Sequence, residues 1–394
     1  MGIVTVDGGA WPETVAPGTS IAPLWTAALP SADRGGMIPL PSGGCVVTWP
    51  ESLVAFTAAG ERTWQASVAR RHHDAGQAIV IAPEAALVHL EGHTVVTRDL
   101  RTGEVAGTFP APGGQLLSLT PWGDLAYWVV TPGLATLHCV TRAGRPRWSV
   151  DFHDRTSTVY EPLAIGDLIV VDRNGALWAF DRDGQVRWLA DPDGVRAPGP
   201  DDSAPRPETS GFELSAVPIR VDRDRALVEL RSYTQRGIYL LDGASPRITP
   251  VAVPTPAGGP RVLLSGPPGR LRMAGLGGRV EIRQMEWEYE VVAFESGRPW
   301  LWEHRMPAEA VGLQPAPDGG VVALANPSAT VWRDYQQWYD MSSRILVRSI
   351  GPDGGTRWSW HAHTPVTHGP LVTADGIVYV GCAERLWAFP VAGS

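Results

Sequence analysis

Residues 177–188, LWAFDRDGQVRW, contain the pattern that predicts the fold. An apolar strand ending at Phe180 leads into a polar turn that ends at Gly184, and a second strand brings Trp188 four residues after this glycine. The same order of apolar strand, glycine turn and tryptophan recurs, again with a spacing of four, in three further segments: 53–64, 137–148 and 345–358. Fixed internal spacing of this kind is typical of stacked supersecondary units.

Weaker copies of the pattern fill the gaps between the clear ones. The residues that close each copy are Trp25, Trp64, Phe109, Trp148, Trp188, Ile248, Trp302 and Trp358. The steps between them are 39 to 45 residues as far as Trp188 and 54 to 60 residues beyond it. Because one blade of a β-propeller, four short strands with their turns, takes about 40 residues, each step predicts one blade. Short apolar runs broken by Gly, Pro, Asp and Asn agree with an all-β chain.

The two ends of the chain predict how the propeller closes. The last segment, 368–389, contains three strands and then stops, whereas the first strand, at 22–27, has no partner before it. Joining these ends completes the last blade and leaves no unpaired sheet edge in the ring. We therefore expect a tail at 1–19 and a single eight-bladed β-propeller at 20–394, monomeric, with seven blades as the alternative if 214–253 is not a blade.

Two segments carry a family resemblance. LWAFDRDGQVRW at 177–188 and DGIVYVGCAERLWAFP at 375–390 resemble the repeat of the pyrroloquinoline-quinone-type propellers, a WD40-like arrangement. This group includes the quinoprotein alcohol dehydrogenases and the bacterial outer-membrane assembly propeller. The resemblance covers most of residues 20–391 and implies a bacterial propeller in which each repeat tryptophan docks between neighbouring blades. It also implies that a quinone would be held by a disulfide between adjacent cysteines, a pair that this chain lacks, so we expect no quinone cofactor.

Composition excludes several classes of function. The formal net charge is −8, which argues against binding to nucleic acid. All 33 basic residues are arginine, so neither a Schiff-base lysine nor a P-loop lysine is available. The longest apolar runs are strand-sized, the N-terminus does not read as a secretory signal, and the three cysteines lie far apart. We expect three buried free thiols, no membrane contact and a cytoplasmic location.

The longer steps place insertions in the second half of the chain. In a propeller the strands of each blade, A to D, run from the axis outward, so the B–C turns and D–A connections emerge on one face, here named the insertion face. We expect residues 190–211 to extend a D–A connection, and residues 277–287 and 326–342 to extend B–C turns. The last insertion is aromatic, and the spacing of its rings predicts one side of a helical turn. This side either packs on the propeller's own rim or is exposed and binds a partner or ligand. The predicted partner-binding residues are Trp332, Tyr335, Trp338, Tyr339 and Trp287.

The histidines suggest a second use of the insertion face. By topology nine of the ten histidines approach it, including His304 after a D strand and His89 beside a B–C turn. His361 and His363 point the same way in an extended strand and, with His368, predict a three-nitrogen metal site with an open position. The ordinary alternative is that these are surface histidines near turns.

Two hypotheses follow from these patterns. The first is a non-catalytic propeller that recognises a protein or small-molecule partner on the insertion face. The alternative is an enzyme, a lyase, cyclase or hydrolase, that uses histidines in the axial cup, with or without a metal. Its candidate catalytic residues are His72, His73 and His361.

Overall fold

The computed structural model describes residues 21–392 apart from short internal gaps, and every regular element in the described part is a β-strand. The gaps are 32–34, 69–77, 82–84, 154–158, 160, 174–175, 192–193, 197–212, 215–218, 221–223, 232–235, 244–246, 251–259, 266–269, 282–283, 296–299, 307–309, 326–328, 334–335, 341–344, 363–365 and 383. Within the described residues, no helix is long and apolar enough to cross a membrane.

In the described residues, eight antiparallel sheets of four or five strands follow a first strand, β1 (Trp25–Ala28). Sheet 1 consists of β2 (Gly36–Pro39), β3 (Cys45–Thr48), β4 (Ser52–Phe56) and β5 (Arg62–Ser67). Sheet 2 consists of β6 (Ala78–Ile81), β7 (Ala86–Glu91), β8 (Thr94–Asp99) and β9 (Val105–Pro110). Sheet 3 consists of β10 (Gly114–Leu119), β11 (Leu125–Thr131), β12 (Leu134–Val140) and β13 (Pro146–Phe152). Sheet 4 consists of β14 (Leu163–Ile165), β15 (Leu168–Arg173), β16 (Ala176–Phe180), β17 (Val186–Asp191) and β18 (Gly194–Arg196).

The remaining sheets continue in the same order. Sheet 5 consists of β19 (Glu213–Leu214), β20 (Ile219–Arg220), β21 (Arg225–Arg231), β22 (Arg236–Asp242) and β23 (Arg247–Pro250). Sheet 6 consists of β24 (Pro260–Ser265), β25 (Arg270–Glu281), β26 (Gln284–Glu295) and β27 (Trp300–Met306). Sheet 7 consists of β28 (Ala310–Pro315), β29 (Val321–Ala325), β32 (Ile345–Ile350) and β33 (Thr356–Ala362), and the pair β30 (Ala329–Arg333) and β31 (Gln336–Asp340) interrupts it. Sheet 8 consists of β34 (Val366–Val372), β35 (Ile377–Cys382), β36 (Arg385–Pro390) and β1.

The first strand of the chain completes the last sheet. Trp25 lies opposite Ala388 and Ala28 lies opposite Arg385, so β1 pairs antiparallel with β36 and occupies the fourth position of sheet 8. The predicted pairing of the two chain ends is therefore confirmed, although the strand begins at Trp25 rather than at residue 22.

Burial differs between the middle and the outer strands of a sheet. Every residue of β3 and of β16 is buried, whereas β13 alternates between exposed and half-buried positions as far as Asp151. The middle strands are covered on both faces by neighbouring sheets, which explains their continuous apolar runs. The predicted burial of Cys45, Cys139 and Cys382 as free thiols is confirmed. Their burial raises the pKa of each thiol, to about 12 for Cys139 and Cys382.

The described residues divide into two compact units, one within 1–49, 54–63 and 254–394 and the other within 50–53 and 64–253. Each unit contains its own apolar clusters, and each cluster is built from facing residues of consecutive sheets. In the first unit the inner strand β28 contacts both β24 and β34, and in the second unit β10 contacts β6. The first strands of consecutive sheets therefore lie side by side.

A repeated contact joins one sheet to the next. In sheets 1 to 4 the turn before the outer strand contains a glycine with positive φ, and an aromatic ring from the preceding sheet lies directly against it. A Cβ atom on Gly184 would lie 2.6 Å from Cγ of Trp148, and one on Gly103 would lie 2.6 Å from Cε3 of Trp64. The pairs Trp25 with Gly60 and Phe109 with Gly144 repeat this contact. The glycine and tryptophan of one repeat therefore contact two different neighbouring sheets.

The indole nitrogens add hydrogen bonds to this contact between an aromatic ring and a turn glycine, which we call the joint. Trp25 Nε1 donates to the Ala58 carbonyl at 2.7 Å, and Trp148 Nε1 donates to the Arg182 carbonyl at 3.0 Å. Both acceptors lie two residues before the glycine that receives the ring. A half-buried indole thus keeps its polar atom hydrogen-bonded while its ring fills the space between sheets, which is the docking that the family resemblance implies.

Hydrogen bonds at sheets 2 and 3 agree with the sorting of turns by face. His93, in the B–C turn of sheet 2, accepts through Nδ1 from the backbone nitrogen of Gly113 in the following D–A connection, at 3.1 Å. At the other end, Arg142 in a C–D turn donates through Nε to the carbonyl of Gly123 in an A–B turn, at 2.7 Å. B–C turns thus lie beside D–A connections, and A–B turns beside C–D turns.

The joint predicts a stability difference between two glycines that share the same backbone strain. Gly184 and Gly133 both have φ near +78°, but a Cβ on Gly133 would meet nothing within 4 Å. Gly133→Ala should cost about 1 kcal/mol from the strained φ alone. Gly184→Ala must also displace Trp148 and should cost about 1–3 kcal/mol more. Urea unfolding of both variants measures this, and equal losses would contradict the proposed role of the joint.

Candidate functional site

Residues 277–287 form part of a long β-hairpin. β25 and β26 pair along their full length of 12 residues, from Arg270 opposite Glu295 to Glu281 opposite Gln284. The flanking strands stop earlier, because β24 begins to pair at Gly275 and β27 ends opposite Tyr289. The part of the hairpin that contains Trp287 therefore extends as a two-stranded ribbon from the B–C turn of sheet 6.

The aromatic insertion in sheet 7 is also a hairpin, and the predicted helical turn is wrong. β30 pairs antiparallel with β31, with Val331 opposite Trp338 and Trp332 opposite Gln337, while Tyr335 lies outside the described residues. Consecutive positions in a strand alternate between faces, so positions 338 and 339 do not share one face as a helix would require. The sheet ladder decides this conformation, because β29 and β32 pair as neighbours and the chain between them forms a hairpin.

The two hairpins occupy equivalent places in consecutive sheets. Each is inserted between the second and third strands, and the inner strands of these sheets, β24 and β28, are in contact. The third predicted insertion, 190–211, begins by adding β18 to the outer edge of β17, and residues 197–211 lie outside the described part.

The predicted histidine sites fall only partly on described residues. His72, His73 and His363 lie outside them. His361 is exposed on β33, opposite Leu346, and His368 lies on β34, opposite Gly381. Among the residues that the structure describes, no cluster of three metal-ligating side chains occurs. The metal site and the catalytic histidines therefore stay predictions.

His89 is not an insertion-face histidine. It is fully buried in β7, and its Nε2 accepts a hydrogen bond from Arg98 Nε at 3.0 Å. The same guanidinium donates to the Gly103 carbonyl at 3.0 Å and to Glu91 Oε1 at 2.6 Å. Arg98 thus connects a B strand to the turn that receives Trp64. Its signal in the sequence is the charged pair Arg98 and Asp99 at the end of TVVTRD, the strand that pairs with β7.

His304 also differs from its predicted place. It lies within β27 rather than after it, and its Nδ1 is 2.9 Å from the carbonyl of Gly354 in the C–D turn of sheet 7. Its Nε2 is 3.2 Å from Arg348 Nη1 and 3.4 Å from Thr356 Oγ1. Because arginine only donates, Nε2 accepts and Nδ1 carries the proton. Burial lowers the pKa of His304, the bond to Gly354 raises it, and Arg348 lowers it, with a net lowering.

Glu161 is a carboxylate that the sequence reasoning missed. It lies in the D–A connection before β14, where partial desolvation by the surrounding protein raises the pKa of its carboxyl although the residue as a whole is exposed. The next residue, Pro162, accepts a hydrogen bond through its carbonyl from Ser118 Oγ of sheet 3, at 2.8 Å. No motif in the sequence marks this residue.

Comparisons with known proteins agree with this architecture. BamB from Moraxella catarrhalis is 13% identical with a TM-score of 0.54, and the match covers 94% of this chain and 97% of that one. The WD40 domain of SCAP from fission yeast is 11% identical with a TM-score of 0.51, covering 95% and 98%. Dihydro-heme d1 dehydrogenase NirN is 14% identical with a TM-score of 0.55, covering 93% and 80%. At these identities the likeness concerns the fold alone. No curated protein sequence matches the chain.

The repeated sheets, their docked aromatic rings and these neighbours define a β-propeller built from quinoprotein-like repeats. The model of the PQQ_2 family, described as outer membrane protein assembly factor BamB, matches residues 106–333. Because this match spans more than half of the chain, the protein belongs to that family.

The buried arginine of sheet 2 yields a prediction for stability. Glu91→Gln removes the carboxylate partner of Arg98 and leaves a buried cation, which should lower the free energy of unfolding by about 3 kcal/mol. The control is Glu104→Gln, because Glu104 is exposed and should change stability by less than about 0.5 kcal/mol. Urea unfolding compares them, and a loss at Glu91 as small as that at Glu104 would contradict the structural role of the network.

His304 predicts a loss of stability in mild acid. Because its pKa is lowered in the folded state, His304 binds a proton more readily in the unfolded chain than in the folded one. The contribution of neutral His304 to the free energy of unfolding is therefore fully present above the ordinary histidine pKa of about 6.5, and it is lost as the pH falls below that value. Unfolding free energies at pH 7 and pH 5 should therefore differ less in His304→Gln than in the wild type. His153→Gln, at an exposed histidine, should behave as the wild type does. An unchanged pH dependence in His304→Gln would overturn this assignment.

Proposed function

We propose that this protein is a non-catalytic propeller that recognises a protein partner through its insertion face. The observation that carries the proposal is the pair of hairpins, β25–β26 and β30–β31, inserted at the same place in consecutive sheets. Loops and ribbons on a rigid scaffold are the usual place for binding residues. The aromatic residues Trp287, Trp332, Tyr335, Trp338 and Tyr339 are the proposed contacts, because aromatic side chains dominate the energetics of protein interfaces.

The proposed architecture is a single ring of eight blades formed by the eight sheets. The pairing of β1 with β36 supports it, as does the contact between the inner strands of consecutive sheets within each unit. A ring joined through its terminal strands leaves no sheet edge inside it. Such a scaffold would keep the insertion-face hairpins in a fixed relation to one another.

The family description supports a protein rather than a small-molecule partner. The members of the matching family are described as an assembly factor for outer membrane proteins, which is a role in protein assembly. A net charge of −8 speaks against nucleic acid. The cytoplasm remains the proposed compartment for this chain because its three thiols are unpaired and buried.

Removing the hairpins tests the proposal. One variant replaces residues 327–344 by an Asn-Gly turn, and a second replaces residues 278–287 in the same way, so that the parent sheets keep their own ladders. The control substitutes the exposed Arg182 and Asp183 by alanine, in a C–D turn at the other end of a sheet. Circular dichroism and urea unfolding confirm that each variant is folded.

Quantitative affinity purification from the native host then compares the four proteins. The wild type and the control should enrich the same partner. Either hairpin variant should recover at least about tenfold less of this partner, because a central aromatic contact contributes about 2 kcal/mol or more. Partner recovery that is equal in all four proteins would contradict the proposed site. Recovery of no partner with the wild type would contradict the recognition function itself.

A further inference from the structure

A hydrogen bond between His304 and Arg348 connects two strands that lie beside the bases of the hairpins. His304 is on β27, opposite Val291 of β26, and the ribbon leaves sheet 6 two residues earlier on β26, at Tyr289. Arg348 is on β32, three residues after Ile345, where this strand begins after the hairpin β30–β31. The distance between Nε2 of His304 and Nη1 of Arg348 is 3.2 Å. One bond therefore joins sheet 6 to sheet 7 close to both hairpin bases.

Both partners of this bond are held in place by further contacts. Nδ1 of His304 donates to the Gly354 carbonyl at 2.9 Å, so the ring spans from the C–D turn of sheet 7 to its third strand. Arg348 is 5% exposed, and its Nε donates to Ser359 Oγ on β33 at 3.1 Å. Neither side chain can turn aside without breaking a second bond.

The charged residues of sheet 7 near this ring offer it no free carboxylate. Asp353, in the same C–D turn, is exposed and accepts from the backbone of its own turn. Arg357 of β33 binds Asp318 of the A–B turn. In the part of the chain that the structure describes, the charged side chain in hydrogen-bond contact with His304 is Arg348.

The register of sheet 6 decides which of its residues share a face with His304. Opposite residues and those two positions away lie on one face, and here none of them carries a charge between pH 5 and pH 7: Tyr289, Val291, Ala293, Trp302 and Met306. Glu290, Glu303 and Arg305 fall on the other face. The neighbouring inner strand β28 contains no charged residue. A positive charge on His304 would therefore meet the guanidinium of Arg348.

Protonation reverses the role of Nε2 in this bond. Neutral His304 accepts at Nε2 from Arg348, whereas a protonated ring has an N–H on both nitrogens and accepts at neither. Two donors and two positive charges would then face each other, which breaks the bond. Burial and also Arg348 lower the pKa of His304, against the bond to Gly354, which raises it. The bond is thus present at pH 7 and is lost at a pH below the ordinary histidine value of about 6.5.

This contact differs in kind from the joints of sheets 1 to 4. The rings in those joints belong to tryptophan or phenylalanine, which do not titrate. The contact between sheets 6 and 7 contains an imidazole instead, and these are the two sheets that have the inserted hairpins. A drop in pH would therefore act between the two hairpins and leave the joints of sheets 1 to 4 intact.

We propose that the bond between His304 and Arg348 is a pH-sensitive link between the two hairpins: neutral His304 keeps their bases together, and protonation separates them and releases the partner. A partner that touches both hairpins requires one relation between them, so it binds the linked state more tightly. By linkage, acid that favours the unlinked state weakens binding. This inference rests on the function proposed above and makes His304 and Arg348 positioning residues of that site.

The separation of the hairpins tests the link without a partner. Cysteines introduced at Gln284 and Gln336, in the last strand pair of each hairpin, carry nitroxide labels, and double electron–electron resonance measures their distance in the full chain. The native cysteines are buried and should stay unlabelled. Between pH 7 and pH 5 the distance distribution should broaden at least about twofold, as expected when two packed elements come apart. An identical distribution at both pH values would overturn the proposal.

Three variants assign the change to His304. His304→Gln has a neutral donor and acceptor at this position, so its distribution should not respond to pH. His304→Arg has a permanent charge and should give the broad distribution already at pH 7. His153→Gln, at an exposed histidine, should respond as the wild type does. Circular dichroism confirms that each variant is folded, and a pH response that persists in His304→Gln would contradict the assignment.

Affinity purification from the native host tests the release. The ratio of partner recovered at pH 5 to that recovered at pH 7 should fall at least about tenfold for the wild type and less than about twofold for His304→Gln, because only the wild type loses the link. Equal ratios would overturn the regulation and leave the proposed function standing. Recovery of no partner at pH 7 would contradict the proposed function itself, and this inference with it.

Discussion

An aromatic ring lying on a bare glycine backbone holds consecutive sheets together. The glycine adopts positive φ, which side chains avoid, and the ring from the preceding sheet fills the place that a Cβ would occupy. Both requirements fall on one residue, so no other amino acid satisfies them. Where the ring is an indole, as at Trp25 and Trp148, its nitrogen also binds a carbonyl of the same turn. The sheets are small and cannot bury their apolar faces alone, so this joint makes a series of sheets into one scaffold.

The joint also explains how much of the fold could be predicted from the sequence. Glycine and tryptophan are the two residues that it requires, and both are visible at a fixed spacing in residues 177–188. The pairing of β1 with β36 followed from counting strands at the two ends of the chain. The spacing did not reveal that Gly184 receives its ring from Trp148, 36 residues earlier, rather than from Trp188 in the same repeat. A local pattern reports the residues of a repeat but not the sheet that each one contacts.

The site predictions were weaker because they depended on contacts between distant segments. Rings at 332, 335, 338 and 339 suit a helical turn, but the pairing of β29 with β32 makes the intervening chain a hairpin. His89 lies near a B–C turn in sequence, yet Arg98 on the paired strand holds it in the interior. His304 turns toward Gly354, fifty residues away. Neighbouring residues in the sequence do not determine any of these partners.

The same joints limit where a partner can bind. The apolar faces of the sheets are used up between neighbours, so the surfaces left for recognition are the turns at the two ends of each sheet and the edges of the outer strands. The hairpins β25–β26 and β30–β31 enlarge two turns without disturbing the ladders beneath them, because each forms its own strand pair. Among the outer edges, β17 is covered by β18, β13 has charges, and β9 has a register shift between Val105 and Gly107 and ends at Pro110. Charge, proline, a bulge and a covering strand all keep an edge from pairing with another chain, so these edges are protected by the fold itself and the enlarged turns are the surfaces left for recognition.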